Sequence, residues 1–242
     1  MKRARFGLIL ATLLFCGRAA APGAENPMPA ASDEEGFQSL FNGRDLEGWS
    51  GDRTIWSVQD GVITGQTTKA APLKENSYLI WEGGQIADFE LRLSYRLENG
   101  NSGIYCRAHR RAAGEKSADP VVAWQADIDD KHEWTGCIME WTVRDRLADR
   151  GQVVNIDEKG KKKVTGATGD PAKLAQLVKT RDWNDYRILA RGGHITLFIN
   201  GARMCELQDD DPRRAVSGLL ALQVHVGPPM KVQFKDIRLR KL

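Results

Sequence analysis

Residues two apart in a β-strand point to the same face, and that period is the dominant signal in this chain. It is clearest over 89–97, where Leu91, Leu93, Tyr95 and Leu97 share one face and Glu90, Arg92, Ser94 and Arg96 the other. Residues 56–65 read as a hairpin turning at Asp60-Gly61. Residues 98–103 read as a turn, and 104–107 start the next strand. Further strands are expected at 121–128 and 137–143. A meander follows over 186–190, 194–200 and 202–207, with Asn200-Gly201 as a tight turn, and 219–226 and 232–240 close the chain. One helix is expected, capped by Asp170, with Pro171 in its first turn and an apolar stripe of Leu174, Leu177 and Val178. The basic run 160–163 reads as a solvated hairpin tip. Many short strands separated by turn residues mean an all-β sandwich or barrel. A sandwich fits better, because several strands carry a second face that is polar with scattered aromatics.

Composition sharpens this picture. With 242 residues, 41% of them hydrophobic, the chain supports one substantial core. Its mean hydropathy is −0.44, and no apolar run reaches the roughly 18–20 residues of a membrane helix. Lys2, Arg3 and Arg5 precede an apolar run over 6–16, and Ala19, Ala20 and Ala21 follow Arg18. That order is expected of a secretory signal peptide over 1–21, cleaved after Ala21 with Ala24 as the alternative, and hence of a secreted or periplasmic protein. Lipid attachment at Cys16 is the runner-up, disfavoured by the bulky Phe15 before it. Residues 22–35, rich in Ala, Pro and acids, are expected to be a disordered linker, and 36–242 a single domain.

The formal charge of +3 belongs to the leader. It holds four of the 35 Lys and Arg and no acid, which leaves 31 basic against 32 acidic residues, a net −1. Nucleic-acid binding through bulk charge thereby loses its support. Removing the leader also removes one of four cysteines. Cys106, Cys137 and Cys205 remain in strand-like text and are expected to be buried free thiols.

Alternation places Ala123, Gln125 and Asp127 on one face of the 121–128 strand and Trp124, Ala126 and Ile128 on the other. It likewise aligns Ile138 with Glu140, and Gln223 with His225; Tyr105 and Arg107 form a further polar–aromatic pair. If these strands adjoin, one sheet face gathers Arg107, Gln125, Asp127, Glu140, Gln223 and His225. Such a set holds what acid–base work on a polyhydroxy substrate requires. Tyr105, Trp124, Trp134 and Trp141 are candidates for stacking on sugar rings or for filling the core. The chain has no G-x-S-x-G elbow, P-loop, G-x-G-x-x-G after a strand, or H-E-x-x-H.

Nine blocks in order carry a resemblance. They begin with Gly36-Phe-Gln-Ser-Leu-Phe-Asn-Gly-Arg-Asp-Leu-Glu-Gly-Trp49 and continue through the hairpin of 56–65 and Asp88-Phe-Glu-Leu-Arg-Leu93. Asn101-Ser-Gly-Ile104, Trp124-Gln-Ala-Asp-Ile128 and Trp183-Asn-Asp-Tyr186 follow. Ile199-Asn-Gly201 and Leu222-Gln-Val-His225 precede Phe234-Lys-Asp-Ile-Arg238. The chain from 36 to 242 resembles the 3-keto-disaccharide hydrolase domain family. The resemblance implies a concanavalin A-like jelly-roll sandwich of two curved antiparallel sheets, with sugar bound on the concave one. It also implies secreted proteins that cleave 3-keto-glycosides, supplied by a partner sugar 3-dehydrogenase, through elimination and hydration.

On that reading Asp127, Glu140 and His225 carry the proton transfers. Arg107 holds an oxyanion or hydroxyl, and Gln125, Gln223, Tyr105 and Asn101 bind the ring. A divalent metal held by Asp127, Glu140 and His225 is a side possibility, also consistent with the donor types but singling out no particular ion. Two rivals stand beside this. One is a lectin-like carbohydrate-binding module without catalysis. The other is a retaining glucanase of the same fold, which is disfavoured: where such enzymes resemble E-x-D-x-x-E, this chain has Gln125-Ala-Asp127-Ile-Asp-Asp130, and an amide cannot be the attacking carboxylate.

Overall fold

A computed structural model describes, besides Met1, residues 36–112, 119–141 and 143–242. The chain divides into two units, Met1–Ser32 and Asp33–Leu242, and everything below concerns the second. The expected leader (1–21), its Cys16 and the linker (22–35) lie outside the described residues.

The strands are, in chain order, β1 (Gln38–Ser39), β2 (Trp49–Ser50), β3 (Trp56–Gln59), β4 (Val62–Gln66), β5 (Ser77–Ile86) and β6 (Phe89–Glu98). Next come β7 (Asn101–Arg110), β8 (Val121–Asp129), β9 (Ile138–Glu140), β10 (Asp145–Ala148), β11 (Gln152–Ile156) and β12 (Lys162–Ala167). After the helix α1 (Pro171–Gln176) follow β13 (Asn184–Arg191), β14 (His194–Ile199), β15 (Ala202–Asp209), β16 (Gly218–Val224) and β17 (Lys231–Lys241). Ten strands form one sheet, ordered β12-β11-β15-β14-β13-β6-β17-β4-β3 with β1 also on β17; seven form the other, ordered β10-β9-β8-β7-β16-β5-β2. All pairings are antiparallel except β11 with β15. Among the described residues no helix is long and apolar enough to cross a membrane.

The all-β sandwich expected from the alternation is what forms. Leu91, Leu93 and Phe234 from the larger sheet pack with Ile104, Trp124 and Leu222 from the smaller one in a single core. The hairpins turn as anticipated, because Asp60-Gly61 and Asn200-Gly201 take the left-handed conformation at both positions (φ 51° and 75°, 50° and 81°). The Asp170 carboxylate caps α1 by accepting from the Lys173 amide at 2.8 Å. Leu174 and Val178 are buried, whereas Leu177 is exposed. Cys106, Cys137 and Cys205 are buried and free.

Three elements differ from expectation, each for a local reason. The strand at 137–143 shrinks to β9, because the Val143 and Arg144 amides turn back to donate to the Glu140 carbonyl. β7 starts at Asn101 rather than Ile104, since Asn101 already pairs with Asp129. β5 shows no alternation because both its faces are covered: Leu79 and Trp81 enter the main core, while Tyr78 and Ile80 join a second cluster on the outer face of the smaller sheet. A continuous apolar run is what such burial selects.

Candidate active site

That second cluster, with Tyr105, Val121, Ala123 and Ala221, covers part of the outer face of the smaller sheet. Further along the same strands the face is open. There a cavity of about 720 Å³ is lined by Gln125, Asp127 and Asp129 of β8, Gln223 of β16, Asn101 of β7 and Met139 of β9. Its rim comes from loops: Asp130, Lys131, Glu133 and Trp134 after β8, Trp141 after β9, His225 and Pro228 after β16, and Lys69.

Asp127 sits on the floor with 4% of its surface exposed. Its Oδ1 accepts from the Asn101 Nδ2 at 2.8 Å and its Oδ2 from the Gln125 Nε2 at 3.1 Å. Burial, aided by the Asp129 charge and opposed by these amide donors, pushes the carboxyl up to about 7. Asp129 cannot share its load. Its carboxylate accepts from the backbone amides of Glu133, Trp134 and Thr135 and from the Thr135 hydroxyl, all within 2.9 Å, and so ties down the rim loop.

Two amides flank Asp127 with their oxygens unused. Gln125 gives its NH2 to Asp127, and Gln223 gives its own to the Tyr105 hydroxyl at 3.0 Å. The Oε1 atoms of both are buried without a hydrogen-bond partner. Buried acceptors left open in this way lose free energy until a donor arrives. Gln125 lies so close over Gly103 that a Cβ there would come within 2.5 Å of Oε1. His225 lies one residue past β16. Its amide donates to the Asn101 carbonyl at 3.3 Å and its Nδ1 lies against the Val226 carbonyl. Trp134 is held under the Arg146 guanidinium, 4.3 Å from its ring centre, and Trp141 is 47% exposed.

Of the residues singled out from the sequence, Asp127, Gln125, Gln223, His225 and Asn101 meet at this cavity. Glu140, Arg107 and Tyr105 do not line it. For Glu140 the reason is register: Gln125 pairs with Met139 and Ala126 with Ile138. Met139 therefore shares the Gln125 face, while Ile138 and Glu140 share the opposite one. Glu140, 4% exposed, pairs with Arg144, which also holds Asp209 at 2.8 Å. For Arg107 the reason is a bulge. Register shifts between Cys106 and His109, and Arg107 takes φ 54°. Its guanidinium then donates to the carbonyls of Ala87 (2.8 Å), Gly192 (2.7 Å) and Ala215 (3.2 Å), leaving it 2% exposed and structural. Tyr105 lies on the same face but inside the second cluster, T-stacked on Tyr78 at 4.9 Å, and accepts from Gln223 there.

The metal set Asp127, Glu140 and His225 is thereby broken. Among the described residues no three His, Cys, Asp or Glu side chains are grouped to hold a metal ion. Among the lining residues that the sequence reading missed, Asp129 and Met139 carried a readable signal. Asp129 continues the Gln125–Asp127 alternation, and Met139 flanks Ile138.

A family model described as 3-keto-alpha-glucoside-1,2-lyase-like domain matches residues 36–240. No curated protein sequence matches the chain. Two solved structures from Parabacteroides distasonis ATCC 8503, each described as a "putative glycosyl hydrolase", are similar at TM-scores 0.57 and 0.56 and 19% and 20% identity. They cover 85% and 86% of this chain, which covers 99% and 94% of theirs. The carbohydrate-binding module CBM66 from Bacillus subtilis is similar at TM-score 0.50 and 13% identity, covering 80% of this chain and 96% of its own. At these identities the likeness is one of fold.

Proposed function

Because the chain belongs to the 3-keto-alpha-glucoside-1,2-lyase-like domain family, we propose that the cavity over the smaller sheet binds a glycoside oxidised at C3 and cleaves it by proton transfer. The observation that carries this reading is a carboxyl held near neutrality between two buried, unpartnered amide oxygens. A general base works best when its pKa lies near the working pH. The open Oε1 atoms of Gln125 and Gln223 suit ring hydroxyls, and Trp141 and Trp134 offer flat apolar surface to the ring.

The ketone acidifies the C2 proton. Asp127, as carboxylate, takes that proton; the electron pair becomes the C1–C2 double bond and the C1–O bond breaks. His225 returns a proton to the departing oxygen. Water then adds across the double bond, its oxygen to C1 and a proton to C2. Asn101 and Gln125 hold Asp127 in place throughout. With Arg107 committed elsewhere, the cationic or protonatable groups lining the cavity, and so available to a developing oxyanion, are His225, Lys69 and Lys131. Export of the mature protein and supply of its substrate by a sugar 3-dehydrogenase belong to the same proposal; the basic–apolar–small order of 1–21 supports the first.

The test is incubation of the mature protein with a 3-keto-glucoside and with its unoxidised parent. Cleavage of the ketone alone, lost in Asp127→Asn, is expected. Binding of both without cleavage of either would overturn catalysis and leave a lectin-like module.

A further inference from the structure

A rim loop whose side chains are free to turn loses free energy when a ligand orders them. The loop between β8 and β9 is held in advance. Asp129, 6% exposed, closes β8 with its carboxylate aimed along the loop. Its Oδ2 accepts from the Glu133 amide, and its Oδ1 from the amides of Trp134 and Thr135. The Thr135 hydroxyl also accepts from the Asp129 amide at 2.9 Å. From the turn after β10, the Arg150 Nη1 donates to the Thr135 carbonyl at 2.6 Å. The far end of the loop is tied as well: the Gly136 amide donates to the Asp127 carbonyl at 3.1 Å and the Cys137 amide to the Trp134 carbonyl at 2.9 Å. Both backbone groups of Trp134 are therefore committed.

So is its ring. Register sets Arg146 of β10 opposite Met139 of β9, and Met139 opposite Gln125 of β8. All three thereby share the outer face of the smaller sheet. The Arg146 guanidinium lies 4.3 Å from the Trp134 ring centre and is itself paired with Asp149 at 3.0 Å. Trp134 lines the cavity and Arg146 does not. The indole thus stands between the guanidinium and the opening, with one face taken and the other left to a ligand.

We propose that Asp129 and Arg146 are positioning residues, which hold Trp134 as a preformed platform for the apolar C–H face of a pyranose ring beside Asp127. The proposal rests on the reading of this cavity as a glycoside site. Asp127 and Asp129 project from the same face of β8 two residues apart, so the base and the platform are fixed to one strand. An indole face meets C–H bonds and is indifferent to a carbonyl at C3. Its contribution is therefore the same for the ketone and for its unoxidised parent, and it belongs to KM rather than to kcat.

Calorimetric titration of the Asp127→Asn chain with a 3-keto-glucoside and with its unoxidised parent, beside kcat and KM of chains that keep Asp127, tests it. Trp134→Ala should raise both dissociation constants and KM about ten-fold. Arg146→Gln should raise them about three-fold, with a smaller change in kcat, and Arg146→Lys should recover part of the loss. Asp129→Asn sets an NH2 group against the loop amides and should raise the same constants. The decisive reading is the double variant: because Arg146 acts through the indole, Arg146→Gln should add nothing in the Trp134→Ala background. Unchanged constants in Arg146→Gln or Asp129→Asn, a fall in kcat alone, or additive effects in the double variant would overturn the proposal, even with the ketone cleaved as expected. A chain that binds both sugars and cleaves neither ends the catalytic reading, and the same cycle in dissociation constants still decides this one; binding of neither sugar ends both.

Discussion

Asp127 is where a single residue's environment has the most to say. Its carboxyl rises to about 7 chiefly through burial, so its effect on stability has a definite sign. Below pH 4 both folded and unfolded chains hold the proton. Between pH 4 and 7 the unfolded chain releases it while the native one keeps it, so stability falls as pH rises, by about 4 kcal/mol in all, and levels off above 7. Asp127→Asn should abolish that part of the slope, which denaturant unfolding at pH 4 and pH 8 would reveal. Turnover should run the opposite way, with kcat/KM climbing as pH passes 7 and Asp127→Asn losing a hundred-fold or more. Gly103→Ala supplies a companion test. A Cβ there displaces Gln125 and with it a donor that favours the ionised carboxyl, so the rising limb of the pH profile should move to higher pH. An unmoved limb would show that Gln125 does not tune Asp127. Alternation in β8 made Asp127 and Gln125 visible in the sequence. The open amide oxygens were not visible, because they depend on where Gly103 and Tyr105 arrive from other parts of the chain.

At the scale of elements, the turn between β9 and β10 shows where sequence reading runs out. Strand period alone aligned Ile138 with Glu140, but which face they share with β8 is a matter of register, and a one-residue offset sends Glu140 to the opposite side. The bulge at Arg107 does the same to a cation. Both decisions are made by pairing between strands, which no local pattern records. Glu140 now belongs to a buried charge cluster. Arg144 pairs with it and with Asp209, and lies 3.6 Å from Asp211, which also binds Arg213. Arg144→Met strands two buried acids, Glu140 and Asp209, so a loss of about 3–5 kcal/mol is expected, or roughly 10 °C in the melting temperature. Glu140→Gln, by contrast, should cost at most a few-fold in kcat, acting through the turn that presents Trp141. A loss matching that of Asp127→Asn would return Glu140 to the chemistry. Trp141→Ala should raise KM more than it lowers kcat, as loss of a stacking surface predicts.

For the whole molecule, the sandwich was legible because each two-sided strand announces its core face, and the clearest of them, β6, lies mid-sheet in the larger layer. The exceptions, β5 above all, are strands covered on both faces, whose text resembles any apolar run. Among the described residues the core also closes without a covalent staple. Cys106, Cys137 and Cys205 are sealed inside, and burial lifts their thiols above the usual range, Cys137 to about 11. A thiol that is neutral and out of contact with water does not react. Each of the three is therefore a built-in clock for the opening of the sandwich: under native conditions a maleimide can label them only as fast as the sheets part. Reducing agents should leave the melting curve untouched, and any change that loosens the layers should speed the labelling in proportion.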